Sequence, residues 1–217
     1  MKLYTYYRSS AAFRVRIALN LKGLTYEAVP RHLLKEGGQH LKSDYLALNP
    51  QGLIPALEDE GTVLTQSLAI IEYLEEKFLQ PPLLPRDPAA RAQVRGVAQV
   101  IACDIHPLQN LRVTNYLSQE LKLDDAAVDR WRVHWISKGL KALEELVKRH
   151  SADGKHCFGR SVTMADVLLL PQLGSSRRFG CDLTPYPTLH AIGAHLETLP
   201  AFMKAAPQAQ PDAEACT

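Results

Sequence analysis

The sequence lacks the patterns that would indicate a metal site or a redox centre. Its four cysteines, Cys103, Cys157, Cys181 and Cys216, include no Cys-x-x-Cys pair, and its eight histidines form no His-Glu-x-x-His motif. We therefore predict that the protein binds no metal and has no redox-active thiol pair. The cysteines are expected to be reduced and mostly structural.

Strong net charge and long apolar runs are also missing. The 217 residues include 25 Lys and Arg and 23 Asp and Glu, which gives a formal charge of +2 and does not favour a nucleic acid as partner. No apolar run approaches the length of a bilayer span, and Arg8 follows Lys2 before a signal-peptide core develops. We expect a cytoplasmic protein without a membrane or nucleic-acid partner.

Strand patterns are confined to the first third of the chain. A β-prone segment at 2–6, an apolar helical stripe at 12–21 that ends before Gly23, and a second strand at 24–29 predict a βαβ unit. A short helix at 43–48, a hairpin made of 53–58 and 62–64, and an amphipathic helix at 66–78 follow.

Four prolines in residues 80–88 exclude a continuous helix or a central strand there. Beyond them only helices are predicted, at 89–117, 124–150, 164–177, 188–196 and 201–205. We therefore predict an α/β domain at 1–80, a linker at 81–87 and an all-helical domain at 88–217. The polar segment 208–217 is expected to be mobile at its end.

Two strand-to-helix junctions carry hydroxyls where free backbone N–H groups and a helix dipole favour an anion. At the first junction, Ser9 or Ser10 either caps the helix or donates to a ligand. At the second, Gln66 and Ser67 either hold a carboxylate or form part of a cap with Thr65.

Other polar positions have mainly structural interpretations. Pro55 belongs at a strand start or edge, and the Ile54–Pro55 bond is a candidate for the cis form. Thr163 and Asp166 have capping-box spacing, which explains both residues. His106-Pro107 interrupts a helix, with Asn110 and Arg112 close behind. Taken alone, His106 is more often a packed or surface residue than a functional one.

Taken together, these segments resemble the zeta-class glutathione transferases over nearly the whole chain. The resemblance is carried by residues 7–10, 14–19, 47–50, 54–57, 66–74, 105–111 and 182–187. It implies a thioredoxin-like N-terminal domain, an all-helical substrate domain, a homodimer and glutathione as cofactor. It also implies cis–trans isomerisation of a maleyl keto acid, a small dicarboxylate, with maleylacetoacetate favoured and maleylpyruvate next.

The resemblance assigns roles to particular residues. The implied glutathione-binding residues are Ser9, Ser10, His40, Ile54, Pro55, Gln66, Ser67, His106 and Asn110. Substrate carboxylates would be bound by Arg8, Arg112 and Arg178, and the catalytic group would be Ser9, Ser10, Arg8 and Arg178. Arg177 should point away from the site.

One departure bears on the mechanism. The family often has a cysteine and a serine after its first two serines, whereas this chain has Ala11 and Ala12. A role for a motif cysteine is therefore excluded, and either Ser9 or Ser10 would stabilise the thiolate. Two alternatives keep the same fold: a glutathione transferase that displaces halide from small α-halo acids, and a non-catalytic interaction module.

Overall fold

A mixed four-stranded sheet forms first along the chain in this computed structural model, which describes residues 1–213. Its strands are β1 (Lys2–Thr5), β2 (Glu27–Pro30), β3 (Ala56–Asp59) and β4 (Thr62–Thr65), in the order β2-β1-β3-β4. β1 pairs parallel to β2 and antiparallel to β3, and β3 pairs antiparallel to β4. The predicted βαβ unit and hairpin are confirmed.

Three helices accompany this sheet in the chain. They are α1 (Ser10–Leu21), α2 (Ser43–Leu48) and α3 (Ser67–Lys77), with short 3-10 turns at Lys35–Gly37 and Gln39–Leu41. α1 buries apolar residues on all sides, among them Val15, Ile17 and Leu19, whereas α3 buries one stripe that includes Ile70 and Leu74. This difference follows their sequences, because α3 alternates its apolar positions with glutamates and α1 does not.

The residues after Leu83 form helices, as predicted. These are α4 (Pro88–Gln99), α5 (His106–Gln109), α6 (Leu111–Gln119), α7 (Asp125–His150), α8 (Met164–Arg178) and α9 (Pro187–Leu196). The helical segment expected at 89–117 is interrupted near Pro107, as predicted, by Asn110 in an extended conformation. It also contains a π-helical turn at Val100–Ile105, which was not predicted. Pro107, which has no N–H to donate, and Asn110, whose side chain caps α6, explain the break physically.

The π-helical turn packs closely against α7. An added Cβ at Gly139 would lie 2.2 Å from Cγ1 of Ile105, so only glycine lets the two backbones approach this far. Extra turns of this kind occur often at functional sites, and here the turn immediately precedes His106.

The last described residues return to the sheet. α10 (Pro200–Ala205) packs on α1, and Asn20 Nδ2 donates to the carbonyl of Ala201 at 3.0 Å. The chain accordingly divides into two compact units, Met1–Pro82 with the segment from Thr198 onward, and Leu83–Glu197. The helical domain predicted from the sequence, 88–217, extends beyond Glu197, where the second compact unit ends. Composition does not reveal which surface a short helix packs against.

The end of segment 208–217, which is predicted to be mobile, lies outside the described residues. The described residues before it contain a 3-10 turn at Pro207–Ala209, and Gln210 Nε2 donates to the carbonyls of Lys204 and Ala206. Cys103, Cys157 and Cys181 are free thiols, whereas Cys216 lies outside the described residues. Within residues 1–213, no helix is long and apolar enough to cross a membrane.

Candidate active site

One end of the sheet gathers the junctions that the sequence singled out. The register aligns Tyr4 with Ala56 and Ala56 with Thr65, and it aligns Thr5 with Pro30. The turn after β1, the loop after β2, the segment before β3 and the junction after β4 therefore all leave the sheet at this end. Helices α1 and α3 begin at this end, and their N-terminal N–H groups and dipoles favour an anion here.

The first junction agrees with the capping interpretation for Ser9. Ser9 is the N-cap of α1, and its Oγ accepts a hydrogen bond from the Ala12 N–H at 3.2 Å. The Ser9 O–H remains a donor by its chemistry. Ser10 is the first helical residue and is buried, and Arg8 is exposed on the preceding turn.

The segment before β3 presents backbone groups. The Ile54–Pro55 bond is cis, as predicted. The carbonyl of Leu53 accepts from Tyr45 Oη at 2.6 Å and from Asn49 Nδ2 at 2.7 Å, so two side chains fix the approach to the proline. Burial raises the pKa of Tyr45 to about 12, which keeps its hydroxyl a donor.

The second junction is strained in its backbone. Gln66 has φ +68° and ψ +118°, an unusual conformation for a residue with a Cβ, and its Nε2 donates to Gln51 Oε1 at 2.7 Å. Ser67 is buried, and its Oγ accepts from Arg14 Nη1 at 3.2 Å. Such conformations cost about 1–3 kcal/mol and concentrate at ligand sites.

The loop after β2 carries His40 within the 3-10 turn Gln39–Leu41. Its ring is half-buried, and burial lowers its pKa although a hydrogen bond with the His32 backbone acts in the opposite direction. Gly52 comes close to this loop, because an added Cβ there would lie 3.3 Å from the His40 carbonyl oxygen. The loop after β2 and the segment before β3 are thus in contact.

The helical unit brings together two of the three residues predicted near the break after the π-helical turn. Asn110 Oδ1 caps α6 by accepting from the Arg112 N–H at 3.1 Å, and Asn110 Nδ2 lies 3.4 Å from His106 Nε2. The Arg112 side chain is exposed on the first turn of α6.

Arg178 is the last residue of α8. Its guanidinium carbon lies 4.8 Å from the centroid of the Phe179 ring, and Arg132 from α7 approaches the same ring at 5.2 Å. Arg177, the preceding residue, forms an ion pair with Glu197.

The capping box at the start of α8 is confirmed. Asp166 accepts from the Thr163 N–H and hydroxyl at 2.7 and 2.8 Å, and from the Cys157 N–H at 2.7 Å. Burial raises the pKa of this carboxyl against the effect of these hydrogen bonds, and burial raises that of the Cys157 thiol as well. This cluster is structural, and Cys157 is not an activated thiol.

Sequence reasoning missed a buried amide pair in the helical unit. Gln109 Nε2 donates to Gln172 Oε1 at 3.0 Å, Gln172 Nε2 returns a longer bond of 3.3 Å, and Gln172 also contacts Ser176. This pair ties α5, which begins with His106, to α8, which ends with Arg178. The sequence does contain a signal for this pair, because Gln109 and Gln172 lie within otherwise apolar helical stretches.

No group of three or more His, Cys, Asp or Glu side chains suited to a metal ion occurs among residues 1–213.

Comparison with known proteins agrees with this geometry. Residues 3–82 match the family described as "Glutathione S-transferase, N-terminal domain". The maleylacetoacetate isomerase of Pseudomonas aeruginosa is 50% identical over 216 residues, which cover 99% of this chain and 100% of that protein.

Two solved structures have the same fold. The holo structure of a maleyl pyruvate isomerase, described as a bacterial glutathione S-transferase of the zeta class, has a TM-score of 0.95 at 48% identity, covering 99% of this chain and 100% of that one. A maleylacetoacetate isomerase from Methylobacterium extorquens, with bound malonate and glutathione, has a TM-score of 0.93 at 44% identity, with the same coverage of both chains. This chain belongs to the zeta-class glutathione transferases.

Proposed function

We propose that this chain is a glutathione-dependent isomerase that converts a maleyl keto acid into its fumaryl isomer, with maleylacetoacetate as the favoured substrate and maleylpyruvate next. The observation that carries the proposal is Ser9 at the N-cap of α1. It lies at the end of the sheet where both strand-to-helix junctions and the segment before β3 are found. Relatives of both substrate types, at 50% and 48% identity, support the same chemistry.

Glutathione would lie along this sheet end. The α1 N-terminus and the hydroxyl of Ser9 or Ser10 would stabilise the thiolate. Gln66 and Ser67 would hold the γ-glutamyl carboxylate, and the backbone at Ile54 before cis Pro55 would pair with the cysteinyl backbone. His40, His106 and Asn110 complete the proposed binding set.

The chemistry divides a blocked rotation into easy steps. The thiolate electron pair forms a C–S bond to the cis alkene. The alkene π pair becomes a C=C bond to the ketone carbon, and the carbonyl π pair moves onto the ketone oxygen to give an enolate. Rotation then occurs about the new single bond. The enolate collapses, the double bond re-forms in the trans geometry, and the thiolate leaves with its electron pair, so glutathione is regenerated.

The substrate is a dianion, and arginine forks suit carboxylates. Arg8 beside Ser9, and Arg178 at the end of α8, are the proposed carboxylate ligands, with Arg112 as a third. Cations near the enolate oxygen would also stabilise the charge that develops there. A homodimer located in the cytoplasm is part of this proposal.

The test uses purified protein with maleylacetoacetate or maleylpyruvate and follows the fumaryl product. We expect a rate with glutathione and none with S-methylglutathione, which has the same peptide but no thiol to add. Dichloroacetate serves as the comparison substrate for the halide-displacing alternative. Absence of a glutathione-dependent rate on both keto acids would contradict the proposal.

Two serine variants then decide which hydroxyl serves the sulfur. We expect the variant that removes this hydroxyl to lose roughly 100-fold in kcat, the scale reported for single oxyanion donors. Ser9→Ala also removes the α1 cap and should cost about 1 kcal/mol of stability. Melting curves for Ser9→Ala and Ser10→Ala therefore separate the effect on stability from the effect on rate.

A further inference from the structure

The turn between β1 and α1 is held by side chains from outside it. Residues 6–9 connect the two elements, and the Ser9 N–H donates to the Tyr6 carbonyl at 3.0 Å. This turn presents Arg8 and Ser9, so its position sets where the proposed thiolate ligand and the proposed carboxylate ligand lie.

The first external side chain is Arg16 from α1, which is fully buried. Its Nη2 donates to the Tyr7 carbonyl at 3.1 Å, and its Nη1 donates to the Tyr6 carbonyl at 3.3 Å and to Thr5 Oγ1 at 3.0 Å. Its Nε donates to the carbonyl of Ala205 at 2.9 Å. One guanidinium therefore joins the turn to the C-terminal segment.

The second external side chain is Asp212. Its Oδ2 accepts a hydrogen bond from the Tyr7 N–H at 2.9 Å, across 205 residues of sequence. The Tyr7 residue is thereby held at its N–H by a carboxylate and at its C=O by a guanidinium. Burial lowers the pKa of Arg16 to about 10, and the nearby Asp212 charge acts against that lowering, which favours the charged form.

We propose that Asp212 is a positioning residue for the glutathione sulfur, acting through the Tyr7 N–H and together with Arg16. Asp212 bonds to the backbone of the turn, at the Tyr7 N–H. Its effect is to fix the turn 6–9 so that the hydroxyl at the α1 N-terminus meets the thiolate. This inference rests on the proposed function, because it needs glutathione to bind at this sheet end.

The geometry explains why a small displacement matters. A functional group must be held within about 0.5 Å of its productive position, and groups on loops achieve this only when other residues support the loop. A charge-assisted hydrogen bond to a backbone N–H is the stronger kind of support. Asp212 supplies such a bond directly before Arg8.

The experiment compares Asp212→Ala, Asp212→Asn and the charge-matched control Glu76→Ala in the full chain. Glu76 is an exposed acid on α3, so its removal changes the net charge of the same unit equally. The readouts are the dissociation constant of glutathione, the pKa of the bound thiol from thiolate absorbance, and kcat against KM for the keto acid. Hydrogen–deuterium exchange follows the peptide that contains residues 6–9.

We expect Asp212→Ala to raise the bound thiol pKa and to lower kcat at neutral pH by about tenfold, the equivalent of one strong hydrogen bond. Asp212→Asn should lie between this variant and the wild type, since its amide oxygen still accepts the Tyr7 N–H without the charge. Exchange of the turn should rise in both variants. Glu76→Ala should match the wild type in every readout.

The inference is wrong if Asp212→Ala has the same thiol pKa, glutathione affinity and kcat as the wild type. It is also wrong if only the melting temperature falls and these three values do not change. If Asp212→Ala does not fold, Asp212→Asn is decisive by the same criteria. A wild type that binds glutathione but isomerises neither keto acid contradicts the proposed function alone. If the wild type does not bind glutathione, both the proposed function and this inference fail. If hydrogen exchange of residues 6–9 is unchanged in Asp212→Asn, the Asp212–Tyr7 contact does not hold the turn.

Discussion

At Gln66 the backbone adopts a conformation that an L-residue avoids, and the side chain is exposed at the start of α3. Nothing in local helix chemistry requires this, because a serine or aspartate at an ordinary N-cap conformation would start the helix at lower cost. The strain is therefore best explained by what the residue presents to a ligand.

Replacing Gln66 separates strain from binding. We expect Gln66→Gly to be more stable than Gln66→Ala by about 1–2 kcal/mol, since glycine relaxes the positive φ and alanine keeps it. Both variants should bind glutathione more weakly than the wild type. Urea unfolding and titration calorimetry measure the two effects.

Ala69, which is exposed on the same helix, supplies a control in which glycine should lower stability rather than raise it. Its replacement by glycine should cost about 1 kcal/mol, because the backbone there is an ordinary helix. Equal stabilities of Gln66→Gly and Gln66→Ala would show that the conformation of Gln66 carries no strain.

His40 makes the loop after β2 sensitive to acid. Its pKa in the folded protein lies below the ordinary value of 6.5, so the unfolded chain binds the proton more readily. Stability therefore falls as the pH drops below about 6.5 towards the folded-state pKa, and it is unaffected above that window. Hydrogen exchange of residues 31–42, corrected for intrinsic rates, should rise on acidification in the wild type but not in His40→Gln. Equal acid sensitivity in both proteins would rule out His40 as the cause.

At the scale of elements, the buried amides of Gln109 and Gln172 couple α5 to α8. A single Gln→Met change leaves the partner amide buried without its bond, at a cost of about 1–3 kcal/mol, whereas removing both amides costs less than the sum. We expect a double-mutant cycle of Gln109→Met and Gln172→Met to show coupling of about 0.5–3 kcal/mol in urea unfolding.

The exposed Gln119 on α6 provides the matched control. Gln119→Met should change stability by no more than about 0.5 kcal/mol. Additive costs of Gln109→Met and Gln172→Met would mean that the two amides do not depend on each other.

Elements with a strong local signal could be predicted from the sequence. The α1 helix, the hairpin, the capping box at Thr163 and the cis Ile54–Pro55 bond all depend on residues close together in the chain. The π-helical turn could not be predicted in this way, because Ile105 packs closely on Gly139, which lies 34 residues later in the chain. The break near Asn110 does have a local signal, because Pro107 indicates that the helix is interrupted there.

At the scale of the whole molecule, the sheet unit is discontinuous in sequence. Arg16 finds its acceptor at Ala205, and Tyr7 finds its acceptor at Asp212. Motifs could predict which segments follow the strand ends, because each of these segments joins elements that are close in the sequence. They could not pair Tyr7 with Asp212, since no pattern in a polar C-terminal segment specifies a partner 205 residues away.

The discontinuity predicts how fragments behave. Residues 1–82 alone should be markedly less stable than the same residues joined to 198–217 by a flexible Gly/Ser linker, because the fragment leaves the buried Arg16 without the Ala205 carbonyl. Circular dichroism melting curves of the two proteins test this. A linked protein carrying Asp212→Ala is the control for the contribution of the Tyr7 bond, and equal melting curves for the fragment and the linked protein would contradict the prediction.

Asp212 also follows the entire helical unit in the order of synthesis. β1 and the turn after it leave the ribosome first, yet the carboxylate that holds this turn is made only after residues 83–197 have been translated. We expect a nascent chain arrested ahead of Asp212 to contain all four strands and still to bind glutathione poorly. The earliest-made part of the proposed glutathione site would thus reach its full ability to stabilise a thiolate only after the second unit has been synthesised.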